Sequence, residues 1–132
     1  LAESFEYRAS EPGSPLADDP PEPAADRVEN AIVAFIQCEP RDEERDTAVL
    51  KQAVKYFRWF ARKREVTRLV LHSFAHLAEE RSSPEFARDL LATLGDRLEE
   101  HGFDVHHTPF GWSLKWTMGV EGHGYAKTFK SL

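Results

Sequence analysis

Two short apolar runs with a helical segment between them constrain the fold of this chain more than any other feature. Residues 31–38 and 69–74 each have the length of a strand and are rich in aliphatic side chains. Such runs are typical of strands that are buried on both faces. Between them, apolar residues recur every three or four positions, which predicts an amphipathic helix beginning with Asp46 as N-cap. The pattern predicts a strand–helix–strand unit and hence an α/β domain.

The remaining segments extend this order. Residues 5–7 alternate like the end of a strand, and residues 11–27 form a proline-rich, acidic stretch that predicts an extended loop. A second helix is predicted from the serines before Pro84 to Gly102, which suits a left-handed C-cap. Residues 103–108 and the alternating segment from Trp112 to Val120 predict two more strands, and residues 125–132 predict one or two helical turns. The expected fold is a mixed sheet with two main helices.

Length, charge and cysteine content narrow the class of protein. A chain of 132 residues has the size of one domain, so residues 1–132 are expected to form a single unit. No apolar run approaches the roughly 20 residues needed to cross a bilayer, and no signal peptide is recognisable, which disfavours a membrane or secreted protein. The chain starts at Leu1, so we expect a short leader or first strand to precede it. The single cysteine, Cys38, cannot close an intramolecular disulfide and fits a reducing, cytoplasmic setting.

The reactive side chains do not by themselves name a reaction. The six histidines lack the spacing of a zinc site, so no metal is predicted, and no glycine-rich phosphate loop indicates a nucleotide cofactor. Cys38 is more typical of a packing residue than of a nucleophile. A satisfied histidine in or beside a strand is the ordinary interpretation of His72. His76 differs because it follows a buried strand at its carboxyl end, where open α/β sheets place their sites.

A row of basic residues follows one face of the first predicted helix. The whole chain has 23 acidic and 17 basic residues, which argues against a surface devoted entirely to nucleic acid. The row itself repeats at intervals of four, three and four, and it could contact phosphates or could be an ordinary solvated face. Its members are Lys51, Lys55, Arg58 and Arg62.

Three short motifs occur in a set order along the second half of the chain. FAHL occupies residues 74–77, PFG occupies residues 109–111 with Trp112 next, and Gly122 is followed by His123. Together with residues 5–7 and the segment NAIVAFIQCE at 30–39, they resemble the N-terminal editing domain of archaeal-type threonyl-tRNA synthetases, in particular its free-standing versions. The resemblance covers nearly the whole chain.

The resemblance implies a fold, an activity and partners. The expected fold is that of the D-aminoacyl-tRNA deacylases, and the expected assembly is a homodimer. The family hydrolyses the ester at the 3′ end of mischarged tRNA, most often serine attached to the threonine tRNA. The expected partners are the tRNA 3′ end as aminoacyl-adenosine and a threonyl-tRNA synthetase served in trans, with no membrane. No cofactor is implied, because backbone groups, a positioned water and the tRNA ribose hydroxyl carry out the chemistry.

By position, the resemblance also implies a pocket for the aminoacyl-adenosine group. His76 would orient substrate or water as one catalytic residue, and Lys115 is the expected second one. Trp112 would stack on the terminal adenine or else fill the core. The implied substrate-binding residues are Ala34, Phe35, Ser73, Phe74, Ala75, Pro109, Phe110, Gly111, Trp112 and His123, and tRNA binding is expected at Lys51, Lys55, Arg58 and Arg62.

Two positions depart from the family pattern and leave several functions open. Synthetase-linked domains carry a lysine three residues after the PFG glycine, where this chain has Leu114; Lys115 follows and needs a bulge to reach the same face. An acidic family position corresponds here to Lys127. A trans-acting deacylase, a binding module for a nucleotide or aminoacyl-adenosine-like ligand, and a structural dimerisation domain therefore remain as alternatives.

Overall fold

Five strands and two α-helices follow one another in the predicted order. The computed structural model describes residues 1–132, the whole chain. The elements are β1 (Ala2–Pro12), β2 (Ala25–Ile36), a 3₁₀ helix (Pro40–Glu44), α1 (Asp46–Arg64), β3 (Arg68–Ser73), α2 (Pro84–Glu100), β4 (Asp104–His107) and β5 (Trp112–Val120). The predicted α/β class, with a mixed sheet and two main helices, is confirmed. Neither helix has the length and apolar content needed to span a membrane.

The five strands form one sheet in the order β4-β3-β2-β1-β5. β2, β3 and β4 are parallel, whereas β1 is antiparallel to both β2 and β5. The parallel half consists of two consecutive strand–helix–strand units that advance in the same direction, and such units are right-handed. Both helices therefore cover the same face of the sheet.

Each face of the sheet contributes to a separate core because side chains alternate along a strand. Leu69 and Leu71 of β3 pack with α1 and α2 in the larger core, while Val70 between them packs in the smaller core. The smaller core also contains Phe5, Tyr7, Val28 and Ala31. No helix covers this second face, so its side chains are buried by the shape of the sheet itself.

The sheet curls strongly across this second face. β4 and β5 are its two edge strands, yet only residues 108–111 connect them. Edges of a flat five-stranded sheet lie roughly 19 Å apart at the usual strand spacing, and such a link spans that distance only if it is almost fully extended. The rings of Phe35 on β2 and Trp116 on β5 lie 5.6 Å apart, although β1 lies between their strands. The curl therefore brings the inner faces of β2 and β5 together.

Several predicted boundaries were wrong. The proline-rich loop is shorter than residues 11–27, because β1 continues to Pro12 and β2 begins at Ala25, where it pairs with Arg8. The apolar run at 31–38 does not remain a strand to its end, since β2 stops at Ile36. The ends of β1 and β2 are determined by hydrogen bonding between strands, and the residue composition of a segment does not predict this pairing.

The helix ends followed their sequence signals more closely. Ser83 is the N-cap of α2 and accepts a hydrogen bond from the Phe86 N–H, and Gly102 has a φ of 90° just beyond the helix. In α1, Arg45 is the N-cap and Asp46 is the first helical residue, so the predicted N-cap was one position late. Residues 125–132 form no helix and contribute only a turn, in which the Ala126 N–H bonds the His123 carbonyl.

Candidate functional site

The carboxyl ends of β3 and β4 lie side by side. They bring two of the predicted motifs to the same end of the sheet. The Thr108 N–H donates to the Leu71 carbonyl, and the Thr108 hydroxyl shares a hydrogen bond of 2.8 Å with Nδ1 of His72. FAHL begins two residues after His72, and PFG begins one residue after Thr108. Both segments therefore leave the sheet at the carboxyl ends of neighbouring strands.

His72 is a buried histidine near the carboxyl end of β3. Burial lowers the pKa of its imidazole to about 4, so the ring is neutral at pH 7. Its two neighbours, the Thr108 hydroxyl and the edge-on ring of Phe35 at 5.3 Å, account for its position. The ordinary interpretation of His72, a satisfied histidine within a strand, is confirmed.

A chain of aromatic contacts leads from the inside of the curl to the protein surface. The ring of Phe35 packs against Trp116 at 5.6 Å and against Phe74 at 5.2 Å. The ring of Phe74 in turn meets the imidazole of His76 edge-on at 5.2 Å. His76 is exposed, whereas Phe35 and Phe74 are half-buried. The imidazole of His76 thus lies at the outer end of an apolar, aromatic surface.

A cavity of about 770 Å³ lies along β2, α1, β5 and the segment after β5, reaches Phe74 beyond the end of β3, and is lined mainly by hydrophobic residues. Three predicted pocket residues, Ala34, Phe35 and Phe74, line it together with Trp116 and Met118 of β5. The curl of the sheet carries the β5 side chains there. The other predicted residues, Ser73, Ala75, His76, Pro109, Phe110, Gly111, Trp112 and His123, are not in its wall.

The loop after β3 is held by a side chain that sequence analysis overlooked. Oε1 of Gln37 accepts hydrogen bonds from the Leu77 and Ala78 N–H groups at 2.6 and 2.9 Å. Its Nε2 donates to the carbonyls of Ala78 and Glu80 at 3.2 and 3.0 Å. A glutamine just after a buried strand was the available signal, because a polar side chain there needs partners.

The same loop presents two free backbone donors. The Phe74 N–H still bonds the Ile36 carbonyl, and the Gln37 side chain accepts from Leu77, but the N–H groups of Ala75 and His76 have no hydrogen-bond partner in the chain. Free, adjacent N–H groups at a strand end can bind an anionic or carbonyl oxygen. Gln37 holds the backbone of the next two residues, Leu77 and Ala78.

The PFG turn packs against the proline-rich loop. The Phe110 N–H donates to the Asp18 carboxylate at 3.2 Å, and the Trp112 indole N–H donates to the Asp18 carbonyl at 2.6 Å. The Gly13 N–H bonds the carbonyl of Gly111 at 2.7 Å. The proline-rich loop therefore fixes the position of the turn and of the Trp112 indole.

The two departures from the family pattern lie on different surfaces. β5 pairs one-to-one with β1 from Leu114 to Met118, without the bulge that would turn Lys115 inward. Leu114 consequently packs against the second core, and Lys115 is exposed on the opposite face. Lys127 lines the cavity, while the exposed His123 bonds Glu121 at 2.6 Å through Nε2.

Cys38 is a packing residue and not a reactive centre. Burial, reinforced by the Asp42 carboxylate, raises the pKa of the Cys38 thiol to about 12, so this thiol is not a nucleophile at pH 7. Its interpretation as a packing residue is confirmed by its place in the larger core. The histidine, cysteine and acidic side chains form no group of three that could hold a metal ion.

The whole chain is similar to one protein family and to part of several curated proteins. The family model for the archaea-specific editing domain of threonyl-tRNA synthetase matches residues 1–132. A threonine–tRNA ligase of Methanopyrus kandleri is 32% identical over 91% of this chain and 19% of its own length. Those of Methanothrix thermoacetophila and Nitrosopumilus maritimus are 32% and 30% identical, each over 97% of this chain and 20% of their own length. The chain spans about one fifth of the length of these curated relatives.

Proposed function

This chain belongs to the family of archaea-specific editing domains of threonyl-tRNA synthetase, and from that premise we propose that it hydrolyses the 3′-terminal ester of mischarged tRNA. The proposed substrate is serine attached to the threonine tRNA. A synthetic site that accepts threonine discriminates against the smaller serine by only about 1–3 kcal/mol, so a separate hydrolytic site is needed. The reaction would take place in the cytoplasm, where aminoacyl-tRNA is consumed.

The observation that carries this proposal is the pair of free backbone N–H groups beside an aromatic cavity. Ala75 and His76 present these donors at the end of β3, and the preceding residue, Phe74, lines the cavity. Preorganised donors of this kind stabilise the oxygen that becomes negative when an ester carbonyl is attacked. The reaction does not need the charged nucleophile that this chain lacks.

The cavity offers a place for the terminal adenosine. Phe35, Phe74 and Trp116 present aromatic rings in its wall, and stacking of a base on a ring contributes about 1–3 kcal/mol. Trp112 is less suited to that role because it does not line the cavity. With the adenine among these rings, the ester would lie toward Ala75 and His76.

Hydrolysis then needs one water and no further reactant. The water oxygen attacks the ester carbonyl carbon while the carbonyl oxygen accepts hydrogen bonds from the two N–H groups. The bond from that carbon to the ribose oxygen breaks, and the ribose oxygen takes up a proton from the water. The products are the free amino acid and tRNA with a free terminal hydroxyl. His76 is proposed to orient the water, because its imidazole lies against the ring of Phe74, which lines the cavity.

A second candidate function is supported by the side of β5 that faces the core. Leu114 packs there and Lys115 faces away, so β5 offers no ammonium group to the cavity. A site with these residues could bind an aminoacyl-adenosine-like ligand without turning it over. Homodimer formation and delivery of the substrate by a threonyl-tRNA synthetase are further proposals that follow from family membership.

The deciding experiment is deacylation of a panel of L- and D-aminoacyl-tRNAs by the purified chain. We expect the threonine tRNA to be deacylated when it carries serine and to be spared when it carries threonine. His76→Ala should lower the rate at least about tenfold, as expected for a positioned polar group. Because His76 is exposed, the melting temperature should stay nearly unchanged.

His101→Ala is the matched control, since His101 is an exposed histidine at the end of α2, away from the cavity. It should leave the rate unchanged. Binding of a non-hydrolysable seryl-adenosine analogue without hydrolysis of any tRNA would favour the second candidate function. A large loss of stability in His76→Ala with unaltered activity would make His76 a structural residue.

A further inference from the structure

The charge of α1 differs sharply from that of the rest of the chain. The chain as a whole carries 23 acidic against 17 basic residues, yet no acidic residue occurs from Thr47 to Arg64. The exposed cations of this stretch form no ion pair with a carboxylate. They are Lys51, Lys55, Arg58, Arg62 and Lys63. A concentrated, uncompensated positive surface of this kind attracts phosphates.

Trp59 lies within this positive surface and is 52% exposed. On the helix it is four residues from both Lys55 and Lys63 and three from Arg62, so all three are its surface neighbours. The ammonium group of Lys63 lies 5.4 Å from the centre of its ring. The proposed hydrolysis does not use Trp59, and the core does not bury it.

The segment after β5 adds two more exposed rings beside α1. Thr128 and Tyr56 share a hydrogen bond of 3.2 Å between their hydroxyl groups, and the Arg64 guanidinium lies 4.6 Å from the ring of Tyr125. These contacts hold the segment against the helix. Tyr125 is 68% exposed and Phe129 is 72% exposed. The segment thus places two further exposed rings near α1.

We propose that Trp59 and the cations around it bind an unpaired stretch of RNA, with a base stacked on the indole and phosphates on the basic row. The proposal rests on the proposed function, because tRNA is the nucleic acid that the chain would meet. Stacking requires a base whose face is free, so it favours single-stranded over duplex RNA. The basic row alone would bind both, since phosphates occur in either form.

A membrane surface fits the same features less well. A helix that inserts into the lipid boundary uses a broad apolar face. In α1 that face is already buried in the larger core, through Leu50, Val54, Phe60 and Ala61 among others. Within α1, Trp59 is the one large apolar side chain that is exposed, and it lies among cations, which suits one stacked base.

The test compares Trp59→Leu with Trp59→Phe in the full chain. The probes are a fluorescent oligoadenylate of about ten nucleotides, within the usual size of single-strand sites, and a blunt RNA duplex of the same length. Trp59→Leu should weaken binding of the single strand about fivefold or more, whereas Trp59→Phe should retain most of it. The slope of affinity against salt should not change, because no phosphate contact is lost. Duplex binding should be the same in all three proteins.

Arg58→Ala serves as the comparison for charge, and it should lower the salt slope for both probes alike. The proposal is overturned if Trp59→Leu binds the single strand as tightly as the unsubstituted chain, or if both Trp59 variants weaken binding equally. It is also overturned if Trp59→Leu weakens binding of the duplex as much as binding of the single strand. A third contrary outcome is that anionic lipid vesicles displace the oligonucleotide from the unsubstituted chain but bind Trp59→Leu more weakly.

Deacylation measured on the same proteins separates this proposal from the proposed function. If the chain hydrolyses mischarged seryl-tRNA while Trp59→Leu leaves single-strand binding intact, only the stacking site is wrong. If no aminoacyl-tRNA is hydrolysed but single-strand binding depends on Trp59, the stacking site stands and the hydrolytic function fails.

Discussion

At the scale of single residues, Gln37 determines the shape of the loop that carries His76. Its amide makes four hydrogen bonds to the backbone of Leu77, Ala78 and Glu80. Intramolecular hydrogen bonds contribute about 0.5–1.5 kcal/mol each. The loop has few apolar contacts of its own to replace them, since residues 76–81 are all exposed. Between the backbone hydrogen bonds of Phe74 and Ser82 at its two ends, the loop is therefore held by this side chain.

Gln37→Ala should accordingly loosen the loop without unfolding the domain. We expect the amide hydrogens of Leu77 and Ala78 to exchange about tenfold faster or more, and hydrolysis of mischarged seryl-tRNA to fall with them. Hydrogen exchange measured by mass spectrometry checks this result. Gln52→Ala, which replaces an exposed glutamine of α1, should change neither quantity. Unchanged exchange at Leu77 in the Gln37 variant would contradict the role given to its side chain.

At the scale of elements, the PFG turn contacts the proline-rich loop just before β5 begins. Gly111 has a φ of 78°, and a Cβ at this position would lie 2.8 Å from the Cα of Ala17. The left-handed backbone and the close approach both require glycine. The PFG turn and the proline-rich loop are thus in contact at a position where only glycine fits.

Gly111→Ala should therefore destabilise the domain by about 1–3 kcal/mol, through backbone strain and the clash with Ala17. Denaturant unfolding of the purified variant measures this change. Gly124→Ala is a matched control, because no atom lies within 4 Å of the place that a Cβ would take there and its backbone is not left-handed. Equal stability of the two variants would show that the turn and the loop are not joined in this way.

At the scale of the whole molecule, positive charge is concentrated on α1 although the chain as a whole is acidic. The exposed row on α1 is an extended surface of uncompensated positive charge, on a chain whose formal net charge is −6. A surface of this kind attracts a polyanion. We expect tRNA to approach from the side of α1.

Replacing Lys55, Arg58 and Arg62 together by alanine should weaken tRNA binding and flatten its dependence on salt. The slope should fall by about one for each phosphate contact that is lost. Titrations at several salt concentrations measure it. Arg88→Ala, which removes a cation of α2 that is paired with Asp89, should leave the slope unchanged. If the triple variant keeps the original slope, the row is only a solvated face.

The order of the elements and the helical core were determined by local sequence patterns. The apolar stripe of α1, Leu50 and Val54 among its members, is buried as its spacing predicts, and Ser83 and Gly102 mark the ends of α2. These signals act over three or four residues, so a single sequence contains them. The family motifs were recognisable for the same reason, and the family itself is confirmed over residues 1–132.

The shape of the candidate site was decided only by the tertiary structure. The contact of Phe35 with Trp116, the hydrogen bonds of Gln37 and the limits of the proline-rich loop all depend on the curl of the sheet or on pairing between distant strands. The outward direction of Lys115 likewise depends on the one-to-one pairing of residues 114–118 of β5 with β1. Local patterns specify which face of a strand is apolar, but they do not specify how far a sheet bends or which loop it meets. For that reason the sequence predicted the residues near the site, and the fold determined which of them form its wall.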